Sequence, residues 1–296
     1  ETCTMQKKFA LKAIVAATAL GSALSAHAAI DLFASGNGSL VLYIANSQES
    51  AIFDLGRNVD SFRPDNADVS GLGKRIVWDF QANTITLSTG VGSGAATSTV
   101  INDAGDWDQG WMDISDTVAE SRFGVFAGDA TGTGAGARTL LTTSSSSESS
   151  VRSTRNSNLA GAGFLNTSAS YLNAVNFLGN HQTAANGASV VAADAPEAGL
   201  AFHTNGFGAA DNFRVGMPFN AGEAVGGSMP FYSLSFAAGG ATTPAVFALY
   251  DGTFTLDAAM GRLIYQTAPI PEPGTYALMA LGLLGVGTIV RRRKSA

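Results

Sequence analysis

The stretch Asn102 to Asp116, NDAGDWDQGWMDISD, sets Asp103, Asp106, Asp108, Asp113 and Asp116 around Trp107 and Trp111. Two chemistries suit these residue types. Carboxylates in a loop can wrap Ca²⁺ with hard oxygen ligands, and the apolar face of an exposed tryptophan can stack on the C–H-rich face of a sugar. Asp106, Trp107, Asp108 and Trp111 are therefore the candidate ligand-binding residues, and Ca²⁺ is the one candidate cofactor. The spacing does not match a calcium loop of the EF-hand kind, because Gly110 falls outside the position where that loop needs its sharp turn. A plainer alternative makes this a solvated loop with both tryptophans tucked into a core. A pair of carboxylates across a cleft would serve glycoside hydrolysis, but the spacing singles out no such pair.

Other chemistry-bearing residues are few. His181 lies in GNHQT and reads as a loop histidine; His203 lies in the strand-like GLAFHT. Neither has a partner at metal-ligand spacing. GDATGTGAGAR, residues 128 to 138, has the glycines of a phosphate loop without its Gly-Lys-Ser/Thr ending, so it reads as a turn. There is no Gly-x-Ser-x-Gly elbow, and the single cysteine, Cys3, precedes Met5. We expect no catalytic residues and no enzyme, with a secreted hydrolase as the least favoured alternative.

The elements that would position these residues are short apolar or alternating runs broken by Gly, Asn, Asp and Ser, the pattern of strands and turns. SLVLYIA (39–45), IVWDF (76–80), TITLST (84–89), FGVFAG (123–128), GLAFHT (199–204), FYSLSF (231–236), AVFALY (245–250), TFTLD (253–257) and RLIYQ (262–266) are the expected strands. Gln81-Ala82-Asn83 is a hairpin candidate, and Asp251-Gly252 carries a tight-turn signal. Leu165, Ser168, Leu172, Val175 and Leu178 fall at helical spacing, which predicts one short helix over 166–178 packed on the sheets. The Ser-rich tract TTSSSSESSVRSTRNSN (142–158) is too polar to bury a core and reads as a mobile surface loop inserted within one domain. The expected fold is all-β: a β-sandwich, jelly-roll-like, with one inserted helix.

Both ends differ from this middle. Lys7, Lys8 and Lys12, the apolar run Ala13 to Leu24 and Ala26-His27-Ala28 form the three parts of a secretory leader, with the mature chain starting at Ala29. At the other end, Thr275 to Val290 is uncharged; as a helix it would span roughly 24 Å at about 1.5 Å per residue, a minimal membrane anchor. Arg291, Arg292, Arg293 and Lys294 follow it as a basic stop. Pro271, Glu272 and Pro273 precede it and favour an extended, accessible segment. The chain thus divides into 1–28, a leader helix with its upstream residues; 29–268, an extracellular β domain; and 269–296, a transmembrane helix with its flanks.

Pro-Glu-Pro, a short apolar span and an Arg-rich terminus, in that order, resemble the PEP-CTERM sorting signal of Gram-negative bacteria. The resemblance covers only the last 27 or so residues. It implies recognition by a membrane protease of the exosortase type, cleavage near Pro271–Pro273, a transient stay in the membrane, and delivery to the cell surface or extracellular matrix. It also implies an association with exopolysaccharide and biofilm.

Charge points the same way. Of 17 Lys and Arg, seven lie in the terminal segments, leaving ten against 21 acids and a net charge of −11 over residues 29–270, where Lys74 is the sole lysine. A phosphate backbone demands clustered cations, so nucleic acid is not an expected partner. With no cysteine after Cys3, no disulfide can form in the exported chain, and packing must supply its stability. The sequence therefore reads as an exported, non-enzymatic surface or matrix protein. A carbohydrate- or calcium-binding module is the runner-up.

Overall fold

The computed structural model describes residues 29–160, 171–196 and 223–271. The leader, His203, the expected strand at 199–204, and Glu272 to Ala296 with Pro273, Arg291, Arg292 and Arg293 lie outside them.

The described chain is mostly β. Its strands are β1 (Ser39–Ala45), β2 (Glu49–Asn58), β3 (Arg75–Asp79), β4 (Thr84–Thr89), β5 (Thr97–Ile101), β6 (Arg122–Gly128), β7 (Leu140–Thr143), β8 (Ala188–Ala192), β9 (Glu223–Ala224), β10 (Ser228–Ser235), β11 (Val246–Asp257) and β12 (Arg262–Thr267). All join one antiparallel sheet in the order β5-β4-β3-β12-β11-β10-β7-β6-β1-β2-β8, with β9 beside β6. In place of the two separate sheets of a sandwich there is this single sheet, curled into a half-barrel. The curl brings near-opposite ends of the strand order face to face. Trp78 of β3 donates its Nε1–H to the Leu55 carbonyl of β2 at 2.9 Å, and Phe53 of β2 lies 4.8 Å from Phe80 at the end of β3. One sheet thereby does the work of two, because its concave face closes on itself.

Alternation sorts side chains between two cores. Leu40, Leu42, Ile44, Phe53, Leu55, Phe123, Val125 and Leu141 point into the concave core with Trp78, Phe231, Phe254 and Tyr265. Phe62, carried by a 3-10 turn at Asp60–Phe62, plugs it, 5.5 Å from Tyr265 and 5.7 Å from Phe231, both edge-on. Val41, Tyr43, Ile52, Phe126, Tyr232 and Leu234 point the other way into a second, outer core. The central strands are thus buried on both faces, which is why SLVLYIA reads as a continuous apolar run rather than an alternating one.

The outer core is roofed by the Ser-rich tract, and here the expectation of a bare loop is corrected. Residues 142–158 finish β7 and form α2 (Glu148–Arg152) and the start of α3 (Asn156–Ala160), elements that follow α1 (Asp108–Ile114) in the chain. Val151 and Leu159 are fully buried in the outer core. Ser147 caps α2 by accepting from the Ser150 N–H. Asn156 Nδ2 donates to the Ala237 carbonyl at 3.0 Å, and the Ala237 N–H donates back to Asn156 Oδ1 at 2.9 Å, pinning the tract to the β10–β11 loop. The serines therefore cap and turn, and two apolar residues dock the segment.

The predicted helix over 166–178 is described from Tyr171 onward. Tyr171, Leu172 and Val175 are buried in the outer core and Phe177 is exposed; the described chain is helical from Tyr171 on, as a π turn leading into α4 (Asn173–Val175). The hairpin at Gln81-Ala82-Asn83 forms, with Asn83 at φ 53°. The turn expected at Asp251-Gly252 does not. β11 runs straight through it, with a register shift against β10 between Pro230 and Tyr232. Gly252 serves a close approach instead: a Cβ there would lie 2.5 Å from Tyr265 Cζ.

Candidate functional site

The Asp/Trp stretch lies at one end of the half-barrel, between the β3–β4 hairpin and β8. α1 carries Trp111, and Trp107 immediately precedes it. Asn83 caps this helix from the hairpin. Its Oδ1 accepts from Trp107 N at 2.7 Å and Asp108 N at 3.2 Å, and its Nδ2 donates to Asp108 Oδ1 at 3.2 Å. Two more asparagines close the segment: Asn186 Nδ2 donates to the Ala104 carbonyl at 2.6 Å, and Asn180 Nδ2 to the Asp106 carbonyl at 2.8 Å. Asn83 thus satisfies N–H groups that a helix N-terminus leaves unpaired, while Asn186 and Asn180 pair the carbonyls of the segment that leads into it. Sequence reading missed them. The available signal was asparagine at turn positions, where Asn83 and Asn186 both take positive φ.

Both tryptophans are inside. Trp107 is 0% exposed and Trp111 1%. Trp107 donates its Nε1–H to the Asp54 carbonyl at 2.7 Å and meets Phe80 edge-on at 5.6 Å. Trp111 stacks on Phe80 at 5.5 Å with an interplanar angle of 18°. Gly110 faces β8 so closely that a Cβ would lie 2.6 Å from Ala188 Cβ, which is what lets α1 close the end of the half-barrel. With their faces occupied, these rings are core residues, and stacking on a sugar is closed to them in this conformation. Sequence alone could not separate the two uses, because a buried and an exposed tryptophan look alike in a loop of aspartates.

Asp106 is exposed and Asp108 is half-buried against Asn83. Asp113 accepts from Gln109 Nε2 at 2.7 Å, one helical turn away. Among the described residues, no three His, Cys, Asp or Glu side chains gather as a metal-binding group.

His181 lies in the loop before β8, as expected, but it is buried there. It is 1% exposed, with Nε2 3.2 Å from Ser189 Oγ and Nδ1 without a hydrogen-bond partner. Burial pushes its pKa down to about 4, so the ring is neutral at pH 7. Tyr250 and Tyr265 are likewise raised by burial. Their hydroxyls donate to the Phe62 and Val69 carbonyls, tying the 59–70 loop to the concave core. The glycine-rich segment 128–138 connects β6 to the antiparallel neighbour β7 rather than leading into a helix, so it lacks the strand-to-helix geometry of a phosphate loop. Arg138 there lies over the Phe236 ring at 5.4 Å.

The sorting tail begins where β12 ends. Pro271 is exposed and is the last described residue. Among the described residues, no helix is long and apolar enough to cross a membrane; the apolar run at 275–290 lies beyond them. No curated protein and no solved structure matches the chain. The PEP-CTERM motif marks an exported protein destined for processing by exosortase, a membrane protease. Residues 269–294 match the family model for the PEP-CTERM protein-sorting motif, and the chain carries that signal directly after β12.

Proposed function

We propose that the chain is routed out of the cytoplasm by its leader, held briefly in the membrane by its C-terminal apolar run, and released by exosortase cleavage near Pro271–Pro273. It then serves as a non-catalytic component of the cell surface or exopolysaccharide matrix. The observation that carries this reading is the sorting motif at 269–294, placed at the end of a closed β body. The body supports it. Three of the side chains that looked reactive in the sequence are spent on packing: Trp107 and Trp111 in the concave core, and His181 against Ser189. The hydroxyl ladder on β4 and β5, where Ser88 meets Ser98 at 2.8 Å and Thr89 meets Thr97 at 3.0 Å, offers a polar face to a polysaccharide.

Deleting Pro271–Ala296 in the native host tests the reading. Fractionation should show the truncated protein lost from the surface and matrix. Unchanged surface delivery would refute the assignment.

A further inference from the structure

The first two residues of the sorting motif, Pro269 and Ile270, belong to the folded body. Beyond β12 the chain is gripped between two turns, one ending at Gly73 and one spanning Gly90 to Ser93. Gly73 N donates to the Ala268 carbonyl at 2.7 Å, Val91 N to the Gly73 carbonyl at 3.0 Å, and Ile270 N to the Val91 carbonyl at 2.8 Å. Gly73, at φ +71°, packs so tightly that a Cβ would lie 2.7 Å from Ile270 Cγ1. Gly92, at φ +88°, would put one 2.6 Å from Pro269 Cβ and 2.8 Å from the Ile270 carbonyl oxygen. Two left-handed glycines lining one seat are a built feature, since any side chain there is both strained and obstructed.

The seat fixes how far the body stands from the membrane. Four residues lie between Ile270 and Thr275, the first of the apolar run, so five Cα-to-Cα steps cover the gap. Even fully extended those steps reach about 18 Å at most. The body is therefore confined near the bilayer for as long as the tail is inserted. The seat is also at a defined end of the sheet. β12 has six residues, about 20 Å at ~3.3 Å each, and runs from the Met260 turn to the seat. Trp111 and α1 lie at the Met260 end, where the Trp111 Nε1 is 3.0 Å from the site of a Gly261 Cβ. The turns Gly71–Lys74 and Gly90–Ala96 carry Lys74, the sole lysine of residues 29–270, and no carboxylate. Leu72 is 52% exposed on the same rim. Of the acids nearby, Asp251 accepts from Gly71 N at 2.6 Å and Asp68 pairs with Arg57 at 3.5 Å. A cation and an exposed leucine suit an anionic bilayer surface, whereas the Asp103–Asp116 end does not.

Resting on the sorting reading above, we infer that this glycine seat orients the anchored protein: the Leu72/Ser93 rim faces the bilayer, and the aspartate-rich α1 end points away from it. The test uses the full chain with Cys3→Ser, carrying one cysteine-linked fluorophore at Leu72, Ser93, Met112 or Met260. It is reconstituted in vesicles of phosphatidylethanolamine and phosphatidylglycerol with a headgroup quencher. Quenching at residues 72 and 93 should exceed that at 112 and 260 by at least threefold. A twelve-residue Gly/Ser linker after Ile270 leaves the seat intact but adds about 20 Å of reach, and should erase that difference. Gly73→Val should speed amide exchange at Ile270 at least tenfold. Equal quenching at both ends in vesicle-bound protein would overturn the orientation while sparing the sorting reading. Failure of the chain to enter vesicles at all would overturn both.

Discussion

Acid should destabilise this protein through His181. The folded state keeps the ring neutral down to about pH 4, because burial penalises the cation, while an unfolded chain takes up the proton near the ordinary value of 6.5. Between those two values the unfolded state binds more protons, so stability rises with pH across that window and falls as the solution is acidified through it. Above about pH 6.5 neither state is protonated and the penalty vanishes. A gap of about 2.5 pH units at about 1.4 kcal/mol each caps the loss at about 3 kcal/mol. The ring is 1% exposed, so solvent screening takes little off this figure. The assay is urea unfolding of the purified protein at pH 7.5, 6.0 and 4.5, set against His181→Gln, which cannot titrate. Carboxylates contribute equally to both proteins and cancel in the difference. The wild type should lose about 2 to 3 kcal/mol more than the variant between pH 7.5 and 4.5. Parallel pH profiles would show that the ring is solvated, and the packing around Ser189 would then be wrong.

Further expectations concern elements that the sequence disguises. Leu159→Ala, in the Ser-rich roof, should cost about 2–5 kcal/mol in chemical denaturation, whereas an undocked loop would tolerate it. Trp107→Phe keeps an aromatic ring but removes the buried hydrogen bond to the Asp54 carbonyl, so it should cost about 1–3 kcal/mol; a neutral effect would place Trp107 at the surface. Gly252→Val should push the Tyr265 ring aside and break its hydrogen bonds to Gly252 N and the Val69 carbonyl. The expected signature is faster amide exchange at Gly71 and Gly73 with the rest of the sheet protected, and unchanged exchange there would contradict the close approach.

How much of this was legible depended on whether a residue's neighbours are near in sequence. β1, with both faces buried, and the β3–β4 hairpin, with its Asn at the left-handed position, were visible because run length and turn chemistry are local. β2 was not, since ESAIFDLGRN carries Glu49, Asp54, Gly56 and Arg57. The buried Asp54 is held by a Ser39 hydroxyl and the Gly56 N–H, partners that no spacing reveals. Asp251-Gly252 showed a hairpin signal, but the glycine answers to Tyr265 across the ladder. The curl of one sheet into a half-barrel also escaped, because strand order is set by pairings such as β10 with β7, some ninety residues apart. At the candidate site, the cluster of aspartates was plain and its fate was not: Asn83, Asn180 and Asn186 decide it from outside the stretch. The tail was the most readable part because a sorting signal must be recognised as a linear segment.

The most direct test of the account is mass spectrometry of the protein isolated from its native host, reading both termini. The account predicts a chain that begins at Ala29 and ends near Pro271–Pro273, recovered from the surface or matrix. A cytosolic chain still running from Met5 through Lys294 would contradict it.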